Sequence, residues 1–90
     1  MKHISIKISG QVQGVFFRAS AKEEAESRGL TGIARNEPDG SISIEAEGPQ
    51  DKLEDYLNWC RHGNSPARVT GMEFLFSDEL KNFTDFTIQR

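Results

Sequence analysis

The sequence predicts an α+β sandwich in the order β-α-β-β-α-β, with one short strand added at the end. Three observations carry this expectation. Apolar residues recur at every second position in Ile4, Ile6 and Ile8 and again in Ile42, Ile44 and Ala46, which is the period of a strand with one buried face. They recur at helical spacing in Phe17, Ala21 and Ala25 and in Leu53, Tyr56, Leu57 and Cys60. Glycine and proline clusters separate these runs.

In chain order, Ile4 to Ser9 is a strand, Val12 continues its apolar parity past Gly10, and its position suggests the central strand of the sheet. A helix follows from about Ala19 to Arg28, with Lys22, Glu23, Glu24 and Glu26 on its polar faces and Gly29 as a left-handed stop. Thr31 to Asn36 is a short strand with Ile33 as its apolar anchor. Glu37-Pro38-Asp39-Gly40 then turns the chain into a strand from Ser41 to Glu47, making a hairpin. Gly48-Pro49 opens the second helix, because proline is tolerated in a first turn, and Gly63 closes it. Arg68 to Phe76 is a strand whose inward parity shifts between Val69 and Met72, as at a bulge near Gly71. Phe86 and Ile88 mark a last, short edge strand. Both β-α-β crossovers are right-handed, so the two helices lie on one face of an antiparallel sheet, a ferredoxin-like arrangement.

With 90 residues, one domain over 1–90 is expected, and no second core fits. A net charge of −3 argues against a nucleic-acid partner, which calls for a basic stripe. Cys60 is alone, so neither an internal disulfide nor a C-x-x-C pair is available, and with only His3 and His62 besides, no metal site is expected. Met1-Lys2-His3 lacks the apolar core of a signal peptide, and no run is long enough to span a membrane, so a cytoplasmic address is expected; a monomer is the default for such a domain, with edge strands that leave dimerisation open.

The stretch from Ser9 to Ala19 joins the first strand to the first helix. Gly10 and Gly14 allow a backbone turn whose N–H groups point inward, a geometry suited to an anion. Arg18 stands at the helix mouth, where the dipole disfavours a cation by a few tenths of a kcal/mol, which suggests an anion between them. The residues alone leave a second reading open: a tight turn followed by a solvated arginine. Asn36 has the same ambiguity, since asparagine before Pro-Asp-Gly is ordinary turn chemistry.

Gly10 to Arg18, G-Q-V-Q-G-V-F-F-R, resembles the G-x-V-Q-G-V-x-F-R signature of acylphosphatases, which hydrolyse carboxylate–phosphate anhydrides. Gly32 to Gly40, G-I-A-R-N-E-P-D-G, is similar to that family's second block, and Gly48-Pro49, Trp59 and Ala67-Arg68-Val69 extend the likeness over nearly the whole chain. The resemblance implies a small-molecule acyl phosphate as substrate, inorganic phosphate as product and no cofactor. It implies that Arg18 binds phosphate together with the backbone of Gly14, Val15, Phe16, Phe17 and Arg18, and that Asn36 orients the attacking water. This sequence departs from the family at Ile33-Ala34, where a bulky aromatic and valine are usual, and at Asn64-Ser65-Pro66.

Other readings are weaker. The same loop resembles the acylphosphatase-like domain of hydrogenase-maturation carbamoyltransferases, so a phosphate or carbamoyl-phosphate binding module is the rival. Phe16 and Phe17 could suggest a nucleobase platform, but adjacent residues diverge, and Phe17 fits the core. Cys60 falls on the buried helix face as packing. His62 fits the C-terminal dipole of the second helix, and Glu23, Glu24 and Glu26 form a solvated face.

Overall fold

The computed structural model describes residues 1–89; Arg90, the end of the expected 1–90 domain, lies outside them. The elements are β1 (Lys2–Gln11), α1 (Phe17–Ser27), β2 (Thr31–Asn36), β3 (Ile42–Gly48), α2 (Gln50–His62), β4 (Arg68–Ser77) and β5 (Phe86–Gln89). The sheet order is β4-β1-β3-β2-β5. Four strands pair antiparallel and β5 adds to β2 in parallel, so the middle position belongs to β3 and β1 lies one strand nearer the edge. The two helices touch each other, α1 rests on β2 and β5, and α2 rests on β1, β3 and β4. This is the ferredoxin-like sandwich with one added edge strand.

The core is the shared apolar parity of the two inner strands. Ile4, Ile6 and Ile8 stand opposite Ala46, Ile44 and Ile42, and all six are buried under the helices. Phe17, Ala21 and Ala25 of α1 and Leu53, Tyr56 and Cys60 of α2 close over them. The Tyr56 hydroxyl donates to the Ala21 carbonyl at 2.9 Å, which ties the helices together inside the core.

Besides the central place expected for the first strand, which β3 takes, three expectations need correction. Helix α1 begins at Phe17, two residues early, and Pro49 is the extended residue before α2 rather than its first turn. In β2 the inward residues are Gly32 and Ala34, while Ile33 takes the opposite parity beside Glu45. The reason is space. Gly32 approaches β3 so closely that a Cβ would overlap the Glu45 carbonyl oxygen. The bulge lies where the parity predicted: Ser9 pairs with Gly71 and Gly10 with Val69, so Thr70 is the extra residue. Gly10 has φ 130°, and a Cβ there would overlap the Arg68 carbonyl oxygen, so the end of β1 can take this path only as glycine.

The opposite sheet face holds a polar cluster that fixes the route to β5. The carboxylate of Glu47, buried in mid-sheet, accepts from His3 Nδ1 at 2.8 Å, from the Lys81 N–H at 2.6 Å and from the Asn82 N–H at 2.9 Å. Glu45 beside it pairs with Lys81 Nζ at 2.6 Å and Arg35 Nη1 at 3.4 Å. Both carboxyls lie below the ordinary carboxylate value: burial pushes them up, but the Lys81 ammonium on Glu45 and the main-chain N–H groups on Glu47 outweigh it. Pinning residues 81–83 in this way delivers β5 to the edge beside β2.

Candidate active site

At one end of the sheet, Val12, Gly14, Phe16, Phe17, Arg18, Ala19, Asn36, Ile42 and Ile88 line one cleft of about 380 Å³. Five elements meet there: the turn after β1, the first turn of α1, the end of β2, the start of β3 and the added strand β5. Arg18 and Asn36, 18 residues apart in the chain, therefore share a wall. They also share an adjoining hollow with Arg35, Glu37 and Gln89.

The turn is built around two left-handed residues. Gly14 has φ 75° and Phe16 has φ 60° and ψ 24°, on either side of Val15. Such alternation turns successive N–H groups toward one concavity. Glycine adopts this conformation freely, but for phenylalanine it costs about 1–2 kcal/mol. Phe16 also leaves its ring 82% exposed at the cleft, so the site holds an outlay in strain and in solvent-facing apolar surface. Helix α1 starts at the next residue. It has no side-chain cap and no acid in its first turn, whereas α2 carries Asp51 there. The first main-chain bond of α1 is from the Ser20 N–H to the Phe16 carbonyl at 3.0 Å, so the N–H groups of Phe17, Arg18 and Ala19 precede the helical ladder. Donors so placed, at the positive end of a helix dipole, are a geometry that favours an anion.

Two side chains hold the turn in place. Gln13 Nε2 donates to the carbonyls of Glu37 and Ser41, both at 2.9 Å. Asn64 Nδ2 donates to the Val15 carbonyl at 2.7 Å and to Ser20 Oγ at 3.3 Å. Arg18 Nη1 donates to the Gln89 carbonyl at 2.8 Å, which draws the guanidinium toward β5 and leaves its other donors without a partner among the described residues. Asn36 ends β2 at an exposed position just before the Pro38-Asp39-Gly40 turn. That turn is rigid: Asp39 Oδ1 accepts from the Ser41 N–H at 2.9 Å and from its hydroxyl at 2.5 Å.

Of the residues singled out in the sequence, Gly14, Phe16, Phe17, Arg18 and Asn36 come together on the cleft, and Val15 lies in the turn above it. Phe17 is buried and packs on Trp59, so it contributes main chain to the site and its ring to the core. Cys60 is buried away from the cleft, and desolvation pushes its thiol up to about 12. His62 is exposed near the end of α2, with Nδ1 3.2 Å from the Asn58 carbonyl oxygen. Among the described residues no three His, Cys, Asp or Glu side chains gather in a metal-binding group, and no helix is long and apolar enough to cross a membrane. Sequence reasoning missed Gln13, Asn64, Ile88 and the Gln89 carbonyl. Only Gln13 carried a signal, as a fixed position of the signature.

The acylphosphatase family model matches residues 4–88. An acylphosphatase of Methylococcus capsulatus is 42% identical over 90 residues, covering 100% of this chain and 98% of that one. One from Alkalilimnicola ehrlichii is 52% identical over 66 residues, covering 73% of this chain and 74% of its own. The crystal structure of the Bacillus subtilis acylphosphatase superposes with a TM-score of 0.97 at 33% identity, covering 100% of both chains. With the family model spanning nearly all of the sequence, the chain belongs to the acylphosphatase family.

Proposed function

We propose that this protein hydrolyses a small-molecule acyl phosphate to a carboxylate and inorganic phosphate, with Arg18 and the turn from Gly14 to Arg18 holding the phosphoryl group and Asn36 orienting water. The observation that carries the proposal is the shared cleft: a guanidinium, an acid-free helix start behind a left-handed turn, and an exposed carboxamide face one volume. The chemistry asks for little more. The departing carboxylate has a conjugate acid of pKa about 4, so it leaves without a proton from the protein. The phosphoryl oxygens carry the charge of a loose transition state, and fixed N–H donors with a forked guanidinium meet that charge without rearrangement.

Asn36 offers one carbonyl acceptor and two N–H donors, so it can hold a water in line with the phosphorus but cannot take its proton. A phosphoryl oxygen of the substrate takes that proton, leaving inorganic phosphate. The acyl side of the substrate then meets Phe16 and Ile88, the accessible apolar part of the cleft. No cofactor enters this scheme. The test is turnover of an aromatic acyl phosphate by purified protein with and without chelator. Chelator-resistant hydrolysis is expected; tight phosphate binding by folded protein without turnover would identify a binding module instead.

A further inference from the structure

We infer that Gln13 is a positioning residue that sets the spacing between the phosphate turn and the water-orienting Asn36. This rests on the roles given above to Arg18 and Asn36. Gln13 immediately precedes Gly14, and its Nε2 donates to two main-chain carbonyls, those of Glu37 and Ser41, each at 2.9 Å. Those two carbonyls flank the mouth of the β2–β3 connection, where the Glu37 N–H also donates to the Ser41 carbonyl at 2.9 Å. Glu37 follows Asn36 directly. One planar amide therefore joins residue 13, beside the phosphate seat, to both ends of the connection that follows Asn36.

The chemistry of the clamp is selective. Among uncharged side chains only asparagine and glutamine carry two protons on one nitrogen, and glutamine reaches one methylene further. Both acceptors are main-chain atoms, so the constraint acts on the backbone that aims Asn36 and not on a side chain free to turn. Asn64 grips the same phosphate turn from the α2–β4 side, through Val15 and Ser20, and its bonds do not run to the β2–β3 connection. Gln13 thus relates the two halves of the site, whereas Asn64 steadies only one.

The test is a double-mutant cycle between Gln13→Met, which keeps length and shape but removes both donors, and Asn36→Ala. In Gln13→Met, kcat should fall by about 10–100-fold, the range expected when a catalytic group is misplaced by about an ångström. The inhibition constant for inorganic phosphate should stay within about threefold, because Asn64 still holds the turn through Val15 and Ser20. In the Asn36→Ala background the same change should cost less than about twofold, because the group it aims is gone. Equal losses in both backgrounds, or phosphate affinity falling in step with kcat, would overturn the inference. Gln13→Asn keeps the donors but falls short of the carbonyls and should behave like Gln13→Met; wild-type kcat in that variant counts equally against it. Amide exchange of Glu37, read by NMR, should accelerate in Gln13→Met, and unchanged exchange refutes the clamp whatever the turnover. A wild-type protein without hydrolysis would sink the proposed function, while this exchange measurement still judges Gln13.

Discussion

Replacing Glu47 by glutamine tests how the protein delivers β5 to the cleft. The carboxylate is 3% exposed and its two oxygens serve four donors: His3 Nδ1 and the Lys81 N–H on one, the Asn82 and Phe83 N–H groups on the other. A glutamine can keep its oxygen toward Asn82 and Phe83, and its amide can face His3, but the Lys81 N–H then meets another donor. The loss is the acceptor of one main-chain donor, the Lys81 N–H, about 1–3 kcal/mol, plus charge assistance on the remaining bonds, less the relief of burying a neutral group; about 2–3 kcal/mol net is expected. Urea unfolding should show a lower midpoint with an unchanged slope.

The pH dependence of that difference has a fixed sign. The folded Glu47 carboxyl lies below its ordinary value of 4.5, so its contribution is present above pH 4.5 and is lost as the pH falls through the folded value. The gap between wild type and Glu47→Gln should therefore narrow on acidification below that point. A stability change under about 0.5 kcal/mol at neutral pH, or a gap that widens in acid, would refute the reasoning.

Tyr56→Phe removes the 2.9 Å bond that links the helices and leaves the Ala21 carbonyl without it, so it should cost about 1 kcal/mol in urea unfolding with kcat unchanged. Cys60, buried and pushed up to about 12, should resist a thiol reagent at pH 8 in the folded protein and react at once in denaturant. Ile88→Ala shortens the apolar wall contributed by β5, and kcat/KM for an aromatic acyl phosphate should fall by several-fold more than for acetyl phosphate.

The sequence carried the fold because its strongest signals were local and mutually consistent. Alternating isoleucines, two helical stripes and a parity break at Gly71 each report directly on burial, and each matches the structure. The parity of β2 was misread because Ile33 is the larger side chain, whereas the inward positions are Gly32, which lies too close to the β3 main chain to carry a Cβ, and Ala34. The Glu45–Glu47 cluster escaped notice because charged residues on a strand normally signify a solvated face. Here the 81–83 segment folds back and supplies main-chain donors from residues more than thirty positions away. In the cleft, Arg18 and Asn36 were legible only through a nine-residue signature and a spaced turn. Arginine at a helix mouth and asparagine before a turn are common on their own. The left-handed Phe16 has no signature in residue type, since phenylalanine seldom adopts that conformation.

The division of labour between Arg18 and Asn36 is tested most directly by titrating inorganic phosphate into Arg18→Ala and Asn36→Ala beside turnover of the same preparations. Arg18→Ala should lose both phosphate binding and hydrolysis, and Asn36→Ala should bind phosphate within about threefold of wild type while its kcat falls by about a hundredfold or more. Phosphate binding abolished by Asn36→Ala, or retained at wild-type strength by Arg18→Ala, would contradict the account.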